Sequence, residues 1–505
     1  MAKPKSKPQL SLESAPVMDR WGDIPEGHWC RRFFTEIRAL FRDEDFAELY
    51  QQGGRYPVSP ALLACVTVLQ YLFRVSDREA VECTIMRRDW RIALGLTPRY
   101  QPFHPTVLVL FRRRLVAHGR SRPLFETVLE QARALGLLRQ KRLRVDATSV
   151  LADVARLSRA ERVREAIRVV VCDLWKQYPE VREVAEVRRL YEAYGEERWL
   201  GAASRGDRED LVTLAQEGQA LGAACGERPV RKKEVLARLL AENFRFAEGA
   251  PPELIPEPEV PKDHIVTPHD PDAEAGRKGG QVVVGDKAHG VETAGEGVNV
   301  ITDVLVTSPR TEDSTLTDEI VERARQRTPE ADTVLADRGY ASAHNSRQAA
   351  TEGIDLVAPP RGDHSKAPVP ASAFPIDCAQ EVARCPEGHR NCSWHRRGRG
   401  ILIRFPVAAC AGCPRREACT PHRPARRLEI SRDYDQLVRD RARAATPAFN
   451  NLYKARAAIE ATISQLVHRC GRRRHRYRGA PFRNLHILFA ATALNVWRLL
   501  QCPTA

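Results

Sequence analysis

Apolar residues between positions 59 and 115 recur at intervals of three and four, the spacing that places them on one face of a helix. In "SPALLACVTVLQYLF", Leu62, Val66, Leu69 and Phe73 share that face, Ser59 stands where an N-cap belongs, and Pro60 opens the first turn. Ser76 with Glu79 three residues on predicts a capping box for a second helix, and Gly95 predicts its stop. A further helix is expected in "HPTVLVLFRRRL", with Leu108, Phe111 and Leu115 inward and Arg112, Arg113 and Arg114 together in a basic patch. Two short helices and a basic third fit a helix-turn-helix type DNA module. A helical bundle with a solvated arginine patch fits the same pattern.

The period then changes to two. "KRLRVDATSVLA" (141–152) alternates, with Leu143, Val145 and Ala147 on one side and Arg144, Asp146 and Thr148 on the other, which predicts a strand. Residues 156–246 return to charged, amphipathic helical segments, and the Pro-rich stretch 249–263 reads as a linker. "GGQVVVGDKAHGVET" and "GVNVITDVLVTS" follow as two β runs joined through "AGEG", a hairpin signal. "DSTLTDEIVERARQ" predicts a helix capped by Asp313 or Ser314. It is followed by the strand "TVLADRGY", the helix "SRQAATEG" and the strand "IDLVAPP". A Cys-rich segment interrupts before one long helix that starts near Pro447. Without its insertions the chain runs through three strands, a helix, a strand, a helix, a strand and a long helix. That order predicts an α/β fold, a mixed sheet with helices on its faces, and it matches the RNase H-like fold.

The expected division is a flexible basic N-terminus (1–29), a helical DNA-binding domain (30–135), the first core strand (140–155), a helical insertion with its linker (156–262), the rest of the core (263–361), a Cys-rich insertion (362–425), and a catalytic helix with a basic C-terminal region (426–505). The 80 Lys and Arg against 65 Asp and Glu give a net charge of +15 and favour a polyanionic partner, nucleic acid being the commonest. No signal-peptide core opens the sequence. The apolar run 487–500 is too short for a bilayer span and holds Asn495 and Arg498, so a cytoplasmic, nucleoid-associated protein with no membrane partner is expected.

In a basic protein, an apolar strand that ends by presenting a carboxylate, as "TVLADRGY" does at Asp337, asks for partners. Asp146 lies on the first strand. In "NNLYKARAAIEATISQLVHR", Leu452, Ile459, Ile463 and Leu466 form the buried stripe of a helix, and Tyr453, Arg456 and Glu460 form a second stripe one position round. Acids gathered that closely need compensation, which Mg²⁺ or Mn²⁺ supplies, and such ions activate water or a hydroxyl against a phosphodiester. Clustered cysteines without export point to metal rather than disulfides. Cys385, Cys410, Cys413 and Cys419, with His389 as substitute, are the expected ligands of a structural Zn²⁺. The basic run "HRCGRRRHRYRGAPFRN", with Arg472, Arg473, Arg474 and Arg476, is expected along a DNA backbone, as is Lys287.

"YKARAAIE" resembles the Y-R-E signature of DDE-type bacterial insertion-sequence transposases. "LRVDATSVLAD" and "LADRGY" are similar to that family's two aspartate strands, "GLTPRYQPFHPTVLVLFRRRL" to the end of its opening helical domain, and "RRRHRYRGAPFRNLHILFAATALNVWRLL" to its C-terminal run. The similarity spans nearly the whole chain outside the charged helical insertion, and Cys-rich insertions of this kind belong to one branch of the family. It implies an RNase H-like core in which Asp146, Asp337 and Glu460 bind the catalytic metal, and in which Tyr453 and Arg456 contact DNA near the cleaved end. It also implies double-stranded DNA as partner, both terminal inverted repeats and target, with a homodimer forming on that DNA. The signature often continues with a lysine where this chain has Val467; His468, Arg469 or the arginines at 472–474 stand nearby. A non-cleaving nucleic-acid-binding regulator with the same fold is the alternative.

Overall fold

The computed structural model describes residues 24–50, 58–97, 99–154, 157–195, 208–362, 369–398, 400–471 and 473–502. Residues 1–23, the bulk of the expected basic N-terminus, and Arg472 lie outside them. The opening helices form where the periodicity placed them, except that the expected helix from Ser76 to Gly95 is two helices parted at the extended Arg87. α1 (Pro60–Phe73) starts at Ser59, whose hydroxyl accepts the Leu62 amide hydrogen, and every residue but Ala61 and Phe73 is buried. α2 (Asp77–Met86) carries the Ser76–Glu79 capping box. α3 (Arg88–Leu94) stops at Gly95 in the left-handed conformation that a helix C-terminus favours.

α4 (Thr106–Ala117) and α5 (Pro123–Ala134) complete this bundle, with Leu108, Phe111 and Leu115 inward. The three arginines of α4 do not form one patch, because successive helical residues project about 100° apart. Arg112 is buried and pairs with Asp77 at 2.5 Å, Arg113 faces solvent, and Arg114 lies 4.4 Å from the Tyr50 ring. The expectation of a shared DNA-binding face is therefore corrected for Arg112.

β1 (Arg142–Leu151) follows. The charged insertion folds as α6 (Arg159–Gln177), α7 (Ala185–Tyr194), α8 (Arg208–Cys225) and α9 (Lys233–Asn243) around a core of its own that includes Val163, Ile167, Leu190 and Leu239. β2 (Glu274–Lys278) was not foreseen. It returns through Gly279 and Gly280, both at positive φ, into β3 (Gln281–Thr293), the backbone that a two-residue hairpin loop demands. β4 (Ile301–Thr307), β5 (Thr333–Leu335) and β6 (Asp355–Val357) complete the sheet. β3 pairs antiparallel with β1, β2 and β4, while β1, β5 and β6 lie parallel in that order. This is the mixed sheet of an α/β RNase H-like fold. α10 (Thr317–Arg327) and α11 (Ala343–Thr351) cover one face over Leu143, Val145, Val334 and Leu356. α10 begins after Leu316 with no side-chain cap, so neither Asp313 nor Ser314 caps it.

The Cys-rich insertion contains the antiparallel strands β7 (Ser393–Arg397), β8 (Gly400–Arg404) and β9 (Arg427–Ser431) over Phe374, Ile403 and Phe405. After α12 (Tyr434–Ala444) the expected single helix is broken into α13 (Pro447–Tyr453), a 3₁₀ turn at Lys454–Ala457, and α14 (Ala458–His468). α15 (Ala480–Leu499) is buried along most of its length and joins the core of the N-terminal bundle to the sheet. Its Asn495 accepts the Ile301 amide hydrogen at 2.9 Å and donates to the Ile301 carbonyl at 2.8 Å. Among the described residues no helix is long and apolar enough to cross a membrane.

The basic run before α15 is mostly a strap across this joint. Arg473 and Arg474 are exposed, but their backbone extends the end of β1 through bonds to Leu151. Arg476 turns inward to the Val75 carbonyl, and Tyr477 packs beneath the Arg112 guanidinium.

Candidate active site

β1 and β5 are parallel neighbours with Arg144 opposite Leu335. Two residues further along each, on the same face of the pleat, come Asp146 and Asp337. The two aspartates therefore stand level, Asp146 midway along β1 and Asp337 just past the end of β5. Ala336 still donates to Val357, so the sheet holds the chain until the residue before Asp337. The backbone then turns, and the Gly339 amide hydrogen bonds Asp337 Oδ1 at 2.7 Å.

Asp146 is half-buried. Its Oδ1 accepts from the Ala147 amide at 2.7 Å and its Oδ2 from Arg456 at 2.9 Å. Burial lifts its pKa above the ordinary carboxylate value and Asp337 pushes the same way, while the Ala147 amide and Arg456 pull against them. Arg456 comes from the 3₁₀ turn and lies over Tyr453, which stacks on Phe449. Glu460, one turn on, accepts from Arg456 at 3.4 Å, and its side chain is 67% exposed. The fold thus brings Asp146 and Asp337 together with Tyr453 and Arg456. Glu460 is joined to them through the Arg456 guanidinium. Among the described residues no group of three His, Cys, Asp or Glu side chains is closed to the spacing of a metal ion. Two aspartates plus a third carboxylate on a neighbouring helix have the all-oxygen chemistry that Mg²⁺ or Mn²⁺ takes.

Sequence reasoning missed Glu292, the buried anchor of α14. It accepts from Arg144 at 2.6 Å, Thr462 at 2.7 Å and Arg498 at 2.9 Å, tying β1, β3, α14 and α15 together. Its position opposite Arg144 on the polar face of β3 was the available signal.

Asp313 was also missed, having been read as a cap. It pairs with Lys287 at 2.5 Å and lies beside Gly339. Lys287, expected at a DNA phosphate, is instead half-buried on Asp313 and reaches the Thr311 carbonyl at 3.4 Å. Two residues on, His289 is fully buried. It bonds the Tyr340 hydroxyl at 2.7 Å and Thr307 at 3.1 Å.

In the Cys-rich insertion, Cys385, His389, Cys410, Cys413 and Cys419 line one small pocket with Phe405 and Arg426. Burial raises the Cys419 thiol pKa; Arg426 opposes this, and the nearby Cys410, Cys413 and Cys385 add to it. Cys378 pairs with Asp435 instead, and burial with that carboxylate pushes its thiol to about 12. Cys392 is exposed, against the Arg404 carbonyl. The pocket donors are the thiolate and imidazole groups that zinc prefers.

Residues 384–500 match the family model of a transposase DDE domain, and residues 21–114 match that of a transposase domain, DUF772. The first match covers the pocket cysteines, Tyr453, Arg456 and Glu460. Asp146 and Asp337 fall between the two. Neither a curated protein nor a solved structure matches the chain.

Proposed function

We propose that this chain, which belongs to the DDE-type insertion-sequence transposases, binds the terminal inverted repeats of its own element and cuts and rejoins DNA with divalent metal at Asp146, Asp337 and Glu460. The observation that carries the reading is the register of β1 and β5, which sets two aspartates level and facing the helix that bears the third acid. Bound Mg²⁺ or Mn²⁺ supplies activation of the attacking oxygen and stabilisation of the leaving one. Asp146 and Asp337 are fixed by backbone amides. Glu460 stands on the solvent side of Arg456 and reaches the aspartates by a change of rotamer as the guanidinium moves from Asp146 to a DNA phosphate. Tyr453, stacked on Phe449, offers a ring edge beside the same strand. The exposed Arg113, Arg473 and Arg474, together with Arg472, add phosphate contacts, which set affinity rather than sequence.

Water and the freed 3′-hydroxyl act as nucleophiles. Tyr340 is unsuited to that role: burial, and then the surrounding carboxylates Asp313, Asp146 and Asp337, raise its pKa far above neutrality. Synapsis of two ends makes a dimer on DNA the working form, and the charge excess suits the nucleoid. The cysteine pocket is a structural zinc site that staples the insertion between β6 and α14, in keeping with the Cys-containing branch of the family.

Incubating the purified chain with end-containing DNA and Mg²⁺ or Mn²⁺ tests the chemistry. Asp146→Asn and Asp337→Asn should each lower cleavage by roughly 10⁴-fold with end binding retained, and full cleavage by either variant refutes the reading. The exposed Glu460 favours a second reading, a DNA-binding regulator that does not cut; wild-type protein that binds ends without cleaving them would establish it. For zinc, titrating the native chain with a thiol reagent should release about one equivalent of metal and expose Cys385, Cys410, Cys413 and Cys419 together. Metal content unchanged in Cys413→Ser and Cys410→Ser would remove the site.

A further inference from the structure

Asp337 stands where the sheet has ended, on a turn that must be held by something other than strand pairing. The contacts that hold it come from β3, on the opposite face to Gly290, the register partner of Asp146. His289 bonds the buried Tyr340 hydroxyl at 2.7 Å and is itself fixed by Thr307. The Tyr340 carbonyl is held by Thr317 at 3.0 Å and Asn345 at 2.8 Å, and Asn345 also bonds the Ser314 carbonyl at 2.8 Å. That last bond secures the segment carrying Asp313, whose carboxylate pairs with Lys287 at 2.5 Å. A Cβ on Gly339 would stand 2.7 Å from Asp313 Oδ2 and 2.9 Å from Asp337 Oδ1, so the two acids press on the same glycine from either side.

We propose that Lys287, His289, Asp313 and Tyr340 are positioning residues for Asp337. Lys287 neutralises Asp313 so that it packs against the Gly339 turn, and the His289–Tyr340 bond fixes the far end of that turn. Together they keep Asp337 level with Asp146. This assigns Lys287 to the protein's own carboxylate rather than to a phosphate, and it gives the "GDKAHG" and "ADRGY" stretches one joint role. A turn free to move by an ångström no longer offers both aspartates to one ion, and partners that orient metal ligands in this way typically govern affinity by 10–100-fold. The inference rests on the reading of Asp146 and Asp337 as metal ligands.

The test is Mn²⁺ binding by the full chain, followed by electron paramagnetic resonance of the free ion, with thermal unfolding and end-DNA binding measured alongside. Tyr340→Phe, Asp313→Asn and Lys287→Gln should each weaken Mn²⁺ binding about 10-fold or more, and Lys287→Arg should recover part of the loss. The dependence of DNA affinity on salt separates the two roles of Lys287. A phosphate contact would lower the slope of log K against log salt by about 0.9 in Lys287→Gln, whereas a positioning residue leaves the slope unchanged. Wild-type Mn²⁺ affinity in Tyr340→Phe and Asp313→Asn, or a reduced slope in Lys287→Gln, overturns the assignment. Asp146→Asn is the control. If it too binds Mn²⁺ as the wild type does, the metal reading of the site has failed and the positioning role goes with it.

Discussion

Gly339 is the residue at which an added side chain would meet both carboxylates of the turn. Alanine there must displace either the Asp313 or the Asp337 carboxylate, because its methyl would sit within 3 Å of both. Gly339→Ala should therefore lower metal-dependent cleavage by about 10-fold or more while end binding stays at the wild-type level, checked by a cleavage time course beside a mobility shift. The placement of the two aspartates was legible because Asp146 sits on the polar side of an alternating strand and Asp337 follows directly on an apolar one, and short motifs record both. Asp313 was not, since "DST" before a helical run is also the signature of an N-cap. Only the folded chain shows that its partner is Lys287, across the sheet edge. Arg112 failed in the same way: in sequence it belongs to a run of three arginines, but helical geometry sends it inward to Asp77 and Tyr477.

Most elements follow from their own periodicity. The caps at Ser59 and Ser76, the alternation of β1 and the hairpin from β3 to β4 are all local signals, and all form where expected. The break between α13 and α14 has no local signal, because residues 447–468 keep a helical pattern throughout. Arg144 of β1 donates to the Ala455 carbonyl at 3.3 Å within that break, a bond between residues far apart in sequence. In the helical insertion, Glu165 on α6 is buried with Arg168 and His269. Burial alone would raise its pKa, but the hydrogen bonds from those two partners win and bring it from 4.5 to about 2. A carboxylate shifted downward on folding contributes stability that is complete above its unfolded value and is lost as pH falls through the folded one. Hydrogen exchange in α6 to α9 should accordingly accelerate between about pH 4.5 and 2. Glu165→Gln should forfeit roughly 3 kcal/mol of that protection already at pH 7, and equal exchange in the two proteins at pH 7 would contradict this.

At the scale of the whole molecule, the expected linear division into domains hides a shared core. Residues of the N-terminal bundle, of β4 and of α15 belong to one buried cluster, with Phe111, Phe125, Ile301 and Phe489 among its members. A chain ending at residue 479 leaves α1 and α5 without their main packing partner. It should lose cooperative unfolding of both the bundle and the sheet, as read by circular dichroism during a denaturant titration; a sharp native-like transition in the truncated chain would show the bundle to be autonomous. Sequence alone gave α15 as an apolar helix too short for a bilayer, without saying what covers it. Amphipathic pattern identifies a buried face but not its neighbour.

The bundle's cover is the α15 segment, which leaves the ribosome only after every other element of both cores has emerged. Nascent chains interrupted earlier keep the apolar surface of α1 and α5 uncovered. A copy frameshifted or stopped before residue 480 would therefore lack the one helix that closes both cores at once, and its fragment would have no finished interior.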